Sequence, residues 1–331
     1  MRKAILFSFL VLCAAAVHAQ AVSIGTDNAA ALKGAHRIAI DQFGIEFITV
    51  LKANGTGGGN SASMQAELKG VSDEAMQAMT DQVYRDTVAA LGAAGFEVVP
   101  FDAVQARPEY LELAGRIGKP SPYVIDDSAS VSKIFAPAGM KAFFQTSGGR
   151  GSFADRMTAL DGANGAKASA LAKSMDLHFV RFHFLAGFGT AAASKGFLAN
   201  VARRAHASIE AGPVLMPNET QAQIVSQDGQ RVFRTSSRSG VNGSVYVDKA
   251  VRGAADGFEL VDTTTAESKQ SDNVSNAVQM GLSLLTGTRA SSTRSSSATV
   301  TLSEATFNES YLRLIGAARD ALIAQLQSAA K

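Results

Sequence analysis

The run Leu177-His178-Phe179-Val180-Arg181-Phe182-His183-Phe184-Leu185 constrains the fold of this chain more than any other stretch. Its apolar side chains fall on both alternating faces, as expected for a central strand of a sheet buried on both sides. Helix-like segments are available to cover such a strand. Ser72 is an N-cap, Asp73 and Glu74 favour the positive end of a helix dipole, and Met76, Met79, Val83, Val88 and Leu91 recur at near-helical spacing up to Gly95. Further helices are predicted over 102–117, Ala166–Met175, Asp272–Leu285 and Phe307–Leu326. Pro120 and Pro122 forbid continuation of the second.

Strand patterns surround them. His36–Phe43 with Phe47–Val50 reads as one long strand or two short ones, Met64–Val71 as a returning strand, Phe96–Val99 and Val131–Ala136 as shorter ones. Ala207–Arg238 is strand-like, with turns at Pro217-Asn218 and Asp228-Gly229, the second a hairpin signal. Gly55–Asn60 and Gly148–Gly151 read as loops, 288–301 as a Ser/Thr-rich loop or exposed strand, and 20–35 as a loose leader. The fold class is therefore α/β (α+β): a mixed sheet flanked by helices, with long loop or hairpin excursions.

The amino terminus sets the compartment. Arg2-Lys3, an apolar run from Ala4 to Val17 and the small-residue close Val17-His18-Ala19 make a secretory signal peptide, with cleavage after Ala19 and a second site at Ala19-Gln20-Ala21. Residues 1–19 are read as the signal and 20–331 as a single α/β domain with insertions, since no clear linker divides them. Cys13, the only cysteine, lies inside the signal behind Leu12, where a lipoprotein signal wants a small residue. Its removal excludes disulfides, cysteine metal sites and thiol catalysis, and places a thiol-free protein in the periplasm or outside the cell. In a bacterial envelope protein the sequons at Asn54, Asn218, Asn242, Asn273 and Asn308 are chance matches. Arg2 and Lys3 also hold the whole excess of 31 basic over 29 acidic residues. The exported chain is thus balanced, which argues against nucleic acid as a partner. Beyond the signal no apolar run reaches the ~18 residues of a transmembrane span.

Chemical motifs are few. Gly187-Phe188-Gly189-Thr190-Ala191-Ala192 matches G-x-G-x-x-A after a strand, with Glu210 downstream where a ribose-binding acid would sit, yet Ala193–Ala205 fits a crossover helix poorly and a strand-end turn is preferred. Gly55–Gly59 lacks the Gly-Lys-Ser/Thr ending of a phosphate loop. His178 and His183 are five apart and point to opposite faces of a regular strand, so they cannot share a metal. His206 and Glu210 stand four apart in a strand-like region with no third ligand, and His36 has Asp41 five along. Asp126-Asp127 with Ser128 marks a turn rather than a cation site. Arg203-Arg204 and Arg289 with Arg294 are local basic spots without interleaved aromatics. Neither G-x-S-x-G nor H-E-x-x-H occurs. The reading therefore assigns no catalytic residue, no metal and no cofactor.

The order Arg37-Ile38-Ala39-Ile40-Asp41-Gln42-Phe43, a long excursion, a helix over 72–94 and Gly95-Phe96-Glu97-Val98-Val99 resembles the envelope α/β domains of the TolB amino-terminal and curli-secretion type. Ala172–Val180 looks like that family's later junction of helix and central strand, and the terminal helix at 307–326 also fits. No functional residue carries over. The expectation is a soluble periplasmic binding or accessory protein of envelope assembly or secretion, with an envelope protein as partner, and an oligomer is compatible with the sequence. The alternatives are a secreted enzyme, a hydrolase among them, and a subunit of an envelope pore with 270–302 as the inserting segment.

Overall fold

The computed structural model describes residues 22–57, 60–144, 162–193, 207–229, 242–273, 275–276 and 293–331. The signal at 1–19, the glycine loop at 148–151, Arg203, Arg204, His206, Arg289 and most of the helix expected at 272–285 lie outside the described residues. In chain order the strands are β1 (Ile24–Asp27), β2 (Arg37–Ala39), β3 (Phe43–Gly57), β4 (Asn60–Lys69), β5 (Glu97–Val99), β6 (Gly118–Lys119), β7 (Tyr123–Asp126) and β8 (Ser130–Phe135). They continue as β9 (Ala142–Phe143), β10 (His178–Ala193), β11 (Ala207–Leu215), β12 (Gln221–Val225), β13 (Gly243–Val247), β14 (Val251–Arg252), β15 (Leu260–Asp262) and β16 (Thr293–Thr301). The helices are α1 (Asp73–Ala93), α2 (Phe101–Gln105), α3 (Pro108–Ile117), α4 (Gly162–Ser174) and α5 (Glu304–Ala330), with a helical stretch over 266–273.

One mixed sheet runs β1-β13-β12-β10-β3-β4-β16-β15, and the expected central strand β10 sits inside it. β10 is parallel to β2 and β3 on one side and antiparallel to β12 on the other. β5 extends the parallel part through β2. β3 pairs with β10 through Phe43–Phe47 and with β4 beyond Val50, while β8 follows its opposite edge. β3 therefore exchanges β10 for β4 along one edge.

The alternation of β10 decides what covers each face. Phe182 and Phe184 share a face with Phe43, Ile45 and Phe47 of β3, and all five are buried in the main core. α1 and α5 cover that face. The Phe43 ring meets Tyr84 of α1 edge-on at 5.3 Å, and Phe47 packs against Phe307 and Tyr311 of α5 at 5.5 and 6.3 Å. The two helices run side by side in the same direction. Ser72 Oγ donates to Glu304 Oε1 at their starts, and Gln327 Nε2 donates to the Ala94 carbonyl near their ends. On the opposite face Phe179 and Val225 pack with Leu113 and Tyr110 of α3 and with Ala168 and Leu171 of α4.

The caps of α1 are those expected: Ser72 Oγ accepts from Ala75 N at 3.1 Å, and Gly95 leaves the helix with φ +94°, which glycine adopts without a Cβ clash. Two expectations change. The helix over 102–117 is two helices, because Pro108 lacks an N–H and is tolerated only at the first turn of a new one. The leader is partly ordered, since β1 pairs with β13 and Leu32 is fully buried. Asp228-Gly229 follows β12, whose antiparallel partner β13 starts at Gly243, and 230–241 lie outside the described residues. The Ser/Thr-rich tail of 288–301 forms strand β16, parallel to β4. Among the described residues no helix is long and apolar enough to cross a membrane.

Phe47 joins β3, β8 and α5 through three ring contacts. Phe47→Ala is expected to lower stability by about 3–5 kcal/mol, read as a shifted urea midpoint at unchanged slope. A change under about 1 kcal/mol would remove Phe47 from its place at the centre of the core.

Candidate functional site

The strongest concentration of buried charge lies where β2 passes into β3. Ile38 and Ala39 pair with His178 and Phe179, whereas Phe43 pairs with Phe182. Residues 40–42 thus oppose only Val180 and Arg181, which is a one-residue bulge. Asp41 sits in that bulge and receives Arg181. Arg181 Nη2 donates to Asp41 Oδ2 at 2.6 Å, and Nε reaches both carboxylate oxygens at 3.0 Å. Both side chains are buried, and the Tyr110 hydroxyl donates to the Asp41 carbonyl at 3.2 Å. Burial, the Asp41 charge and Tyr84, against the opposing effect of Arg181, push the Tyr110 hydroxyl well above the usual tyrosine range, so it remains a donor.

Two residues along the same face of β10 lies His183. Its Nδ1 faces the Glu219 carbonyl at 2.9 Å, and Nε2 lies 3.3 Å from Glu46 Oε2, an ion-pair distance without well-aligned hydrogen-bond geometry. A carbonyl can only accept, so Nδ1 carries a proton, and the carboxylate favours a second one on Nε2. Ser132 Oγ donates to Glu46 Oε1 at 2.5 Å. Burial by itself lowers the His183 pKa, but the contact and charge of Glu46 together with the Glu219 carbonyl outweigh it, and the net direction is upward. Across β12 and β13 the same face continues with Gln221 and Gln223, then Tyr246 and Ser244. The Gln221 amide and the Ser244 hydroxyl are buried without a protein hydrogen-bond partner, which makes this polar row costly to enclose. The row can hold charge and bind or release a proton. Its burial keeps its charged groups out of reach of a dissolved substrate.

The residues singled out in the sequence are dispersed. Gly187 and Gly189 do not end the strand, since β10 runs through them to Ala193. A bulge in the β10–β11 pairing lies between them, and a Cβ at Gly189 would come within 2.6 Å of the Glu210 carbonyl. Close approach of β11, rather than a turn or a phosphate, explains glycine there. Glu210 faces Arg252 of β14 at 3.4 Å. Asp127 Oδ1 accepts from the amides of Ala129 and Ser130, an Asx turn, while Asp126 accepts from Lys52 Nζ at 2.6 Å. His36 is exposed, and His178 is half-buried on the opposite face of β10 from His183, its pKa lowered by burial against the raising effects of Asp228 and Asp176. Arg294 lies on β16. Among the described residues no group of three or more His, Cys, Asp or Glu side chains could hold a metal ion.

Asp41, Glu46 and Arg181 were missed as partners, although each carries a local signal. Each is a charge inside an otherwise apolar run: Ile38-Ala39-Ile40, Ile45 and Phe47, and Leu177–Leu185. Comparison with protein-family models, with curated proteins and with solved structures finds no match for this chain.

Asp41→Asn would leave a buried guanidinium without its counter-charge and is expected to cost about 3–5 kcal/mol, whereas the double variant Asp41→Leu, Arg181→Met should recover most of that loss in urea unfolding. If the double variant is no more stable than the single one, the pair is not the source of the loss. His183 adds a pH dependence. Its folded value lies above the unfolded 6.5, so protonated His183 contributes fully below about pH 6.5 and the contribution disappears as pH rises through the folded value. Stability measured from pH 5.5 to 9 should fall more steeply for the parent than for His183→Gln, and parallel curves would contradict the charged pair.

Proposed function

We propose that this chain is an exported protein of the bacterial envelope that acts by binding a protein partner, as an accessory to envelope assembly or secretion. The observation that carries the reading is β7. Among the described residues it pairs only with β8, and its Val124 is 52% exposed. An edge strand displays unpaired N–H and C=O groups, which soluble proteins ordinarily blunt with charge, and an apolar side chain left there suits a partner that adds a strand or loop. Lys133 lies opposite Val124 on β8 and bonds Asp73 of α1, so the strand behind the edge is held firmly. Two further features support the reading: the export signal in Arg2–Ala19, and the succession of β2, α1 and β5, which follows the TolB and curli-secretion resemblance.

A photo-crosslinking residue placed at Val124 in cells should give a discrete adduct in the envelope fraction, and the same residue at exposed Leu111 of α3 should not. Val124→Lys should weaken recovery of that partner about tenfold while changing stability by no more than about 0.5 kcal/mol. Identical adducts from both positions, or none from Val124, would overturn the reading.

A further inference from the structure

A pocket of about 390 Å³ opens at the carboxyl ends of the parallel strands β2 and β5. The crevice beyond the carboxyl ends of parallel strands is where open α/β sheets take ligands. Ile40 leaves β2 into its wall, Phe101 and Asp102 follow β5 at the start of α2, Tyr84 and Arg85 come from α1, and Met140 closes the far side. The volume is at the low end of the ~300–1,000 Å³ range of small-molecule sites.

The chemistry of the lining narrows the occupant. Ile40 and Met140 are buried and Phe101 is half-buried, so the floor is apolar. The rim is not. Arg85 and Asp102 are exposed, and among the described residues neither takes part in an ion pair. Burial, with Asp102 nearby, holds the Tyr84 hydroxyl protonated and able to donate. A ligand of single charge would answer one rim group and leave the other facing it unmatched. A ligand carrying a carboxylate and an ammonium answers both, and an apolar side chain on the same molecule fits the floor.

We infer that this pocket binds a free α-amino acid with an apolar side chain, its carboxylate on Arg85, its ammonium on Asp102 and its side chain against Ile40, Phe101 and Met140. The inference goes beyond the partner-binding role and does not depend on it. It is tested by NMR titration of the protein with L-phenylalanine and L-leucine, beside the singly charged analogues 3-phenylpropanoic acid and 2-phenylethylamine. The amino acids should bind and shift the Tyr84 and Phe101 ring resonances, and each analogue should bind about tenfold more weakly or worse. Arg85→Gln should weaken the amino acids about tenfold and leave 2-phenylethylamine unchanged. Asp102→Asn should do the same with 3-phenylpropanoic acid as the unaffected ligand. No shift at about 10 mM amino acid, analogues as tight as the amino acids, or variants without effect would each overturn the inference.

Discussion

The parallel register between β10 and the β2–β3 segment is the constraint on which the remaining packing rests. Side chains alternate with a period of two, so a slip by one residue would turn Arg181 and His183 onto the face lined by Phe43, Ile45 and Phe47. Phe182 and Phe184 would turn the other way, losing α1 and α5. The two buried ion pairs penalise that slip directly, because Asp41 and Glu46 would then be enclosed without their cations. Buried pairs contribute little net stability in the correct structure, since desolvation offsets most of their attraction. Their effect is asymmetric: nearly neutral in the right register and expensive in any other. The bulge at residues 40–42 belongs to the same device, because without its extra residue Asp41 could not face Arg181 while Phe43 faces Phe182.

How much of this was readable follows from how local each signal is. β10 was legible because apolar side chains on both faces need only nine adjacent residues to be seen. α1 was legible because cap, dipole and periodicity agree within one segment. The break before Pro108 was written in the sequence as well, but the apolar spacing on either side of it reads as continuous. The glycines at 187 and 189 misled, because a close backbone approach and a strand-end turn demand the same residue. Ion-pair partners were beyond reach. Arg181 and Asp41 lie 140 positions apart, and only the strand pairing brings them together. A charge inside an apolar run announces that it must be neutralised, not by what.

That pairing also shapes the pocket at the carboxyl end of β2. Ile40 lines its wall immediately before Asp41, and Phe101 meets the Tyr110 ring edge-on at 5.5 Å. Tyr110 is tied through its hydroxyl to the Asp41 carbonyl. The floor of the pocket is therefore anchored twice to the bulge that fixes the sheet, and little of it has to be ordered when something binds. The rim differs. Arg85 and Asp102 are exposed, and immobilising a long side chain such as that of Arg85 costs about 0.5–1.5 kcal/mol. An anchored apolar floor beneath an exposed charged rim would draw shape selectivity from the floor and charge selectivity from the rim. The Asp41–Arg181 contact fixes the bulge that carries Ile40, so its loss should shift the Ile40 wall of the pocket before it disturbs α5 on the other face.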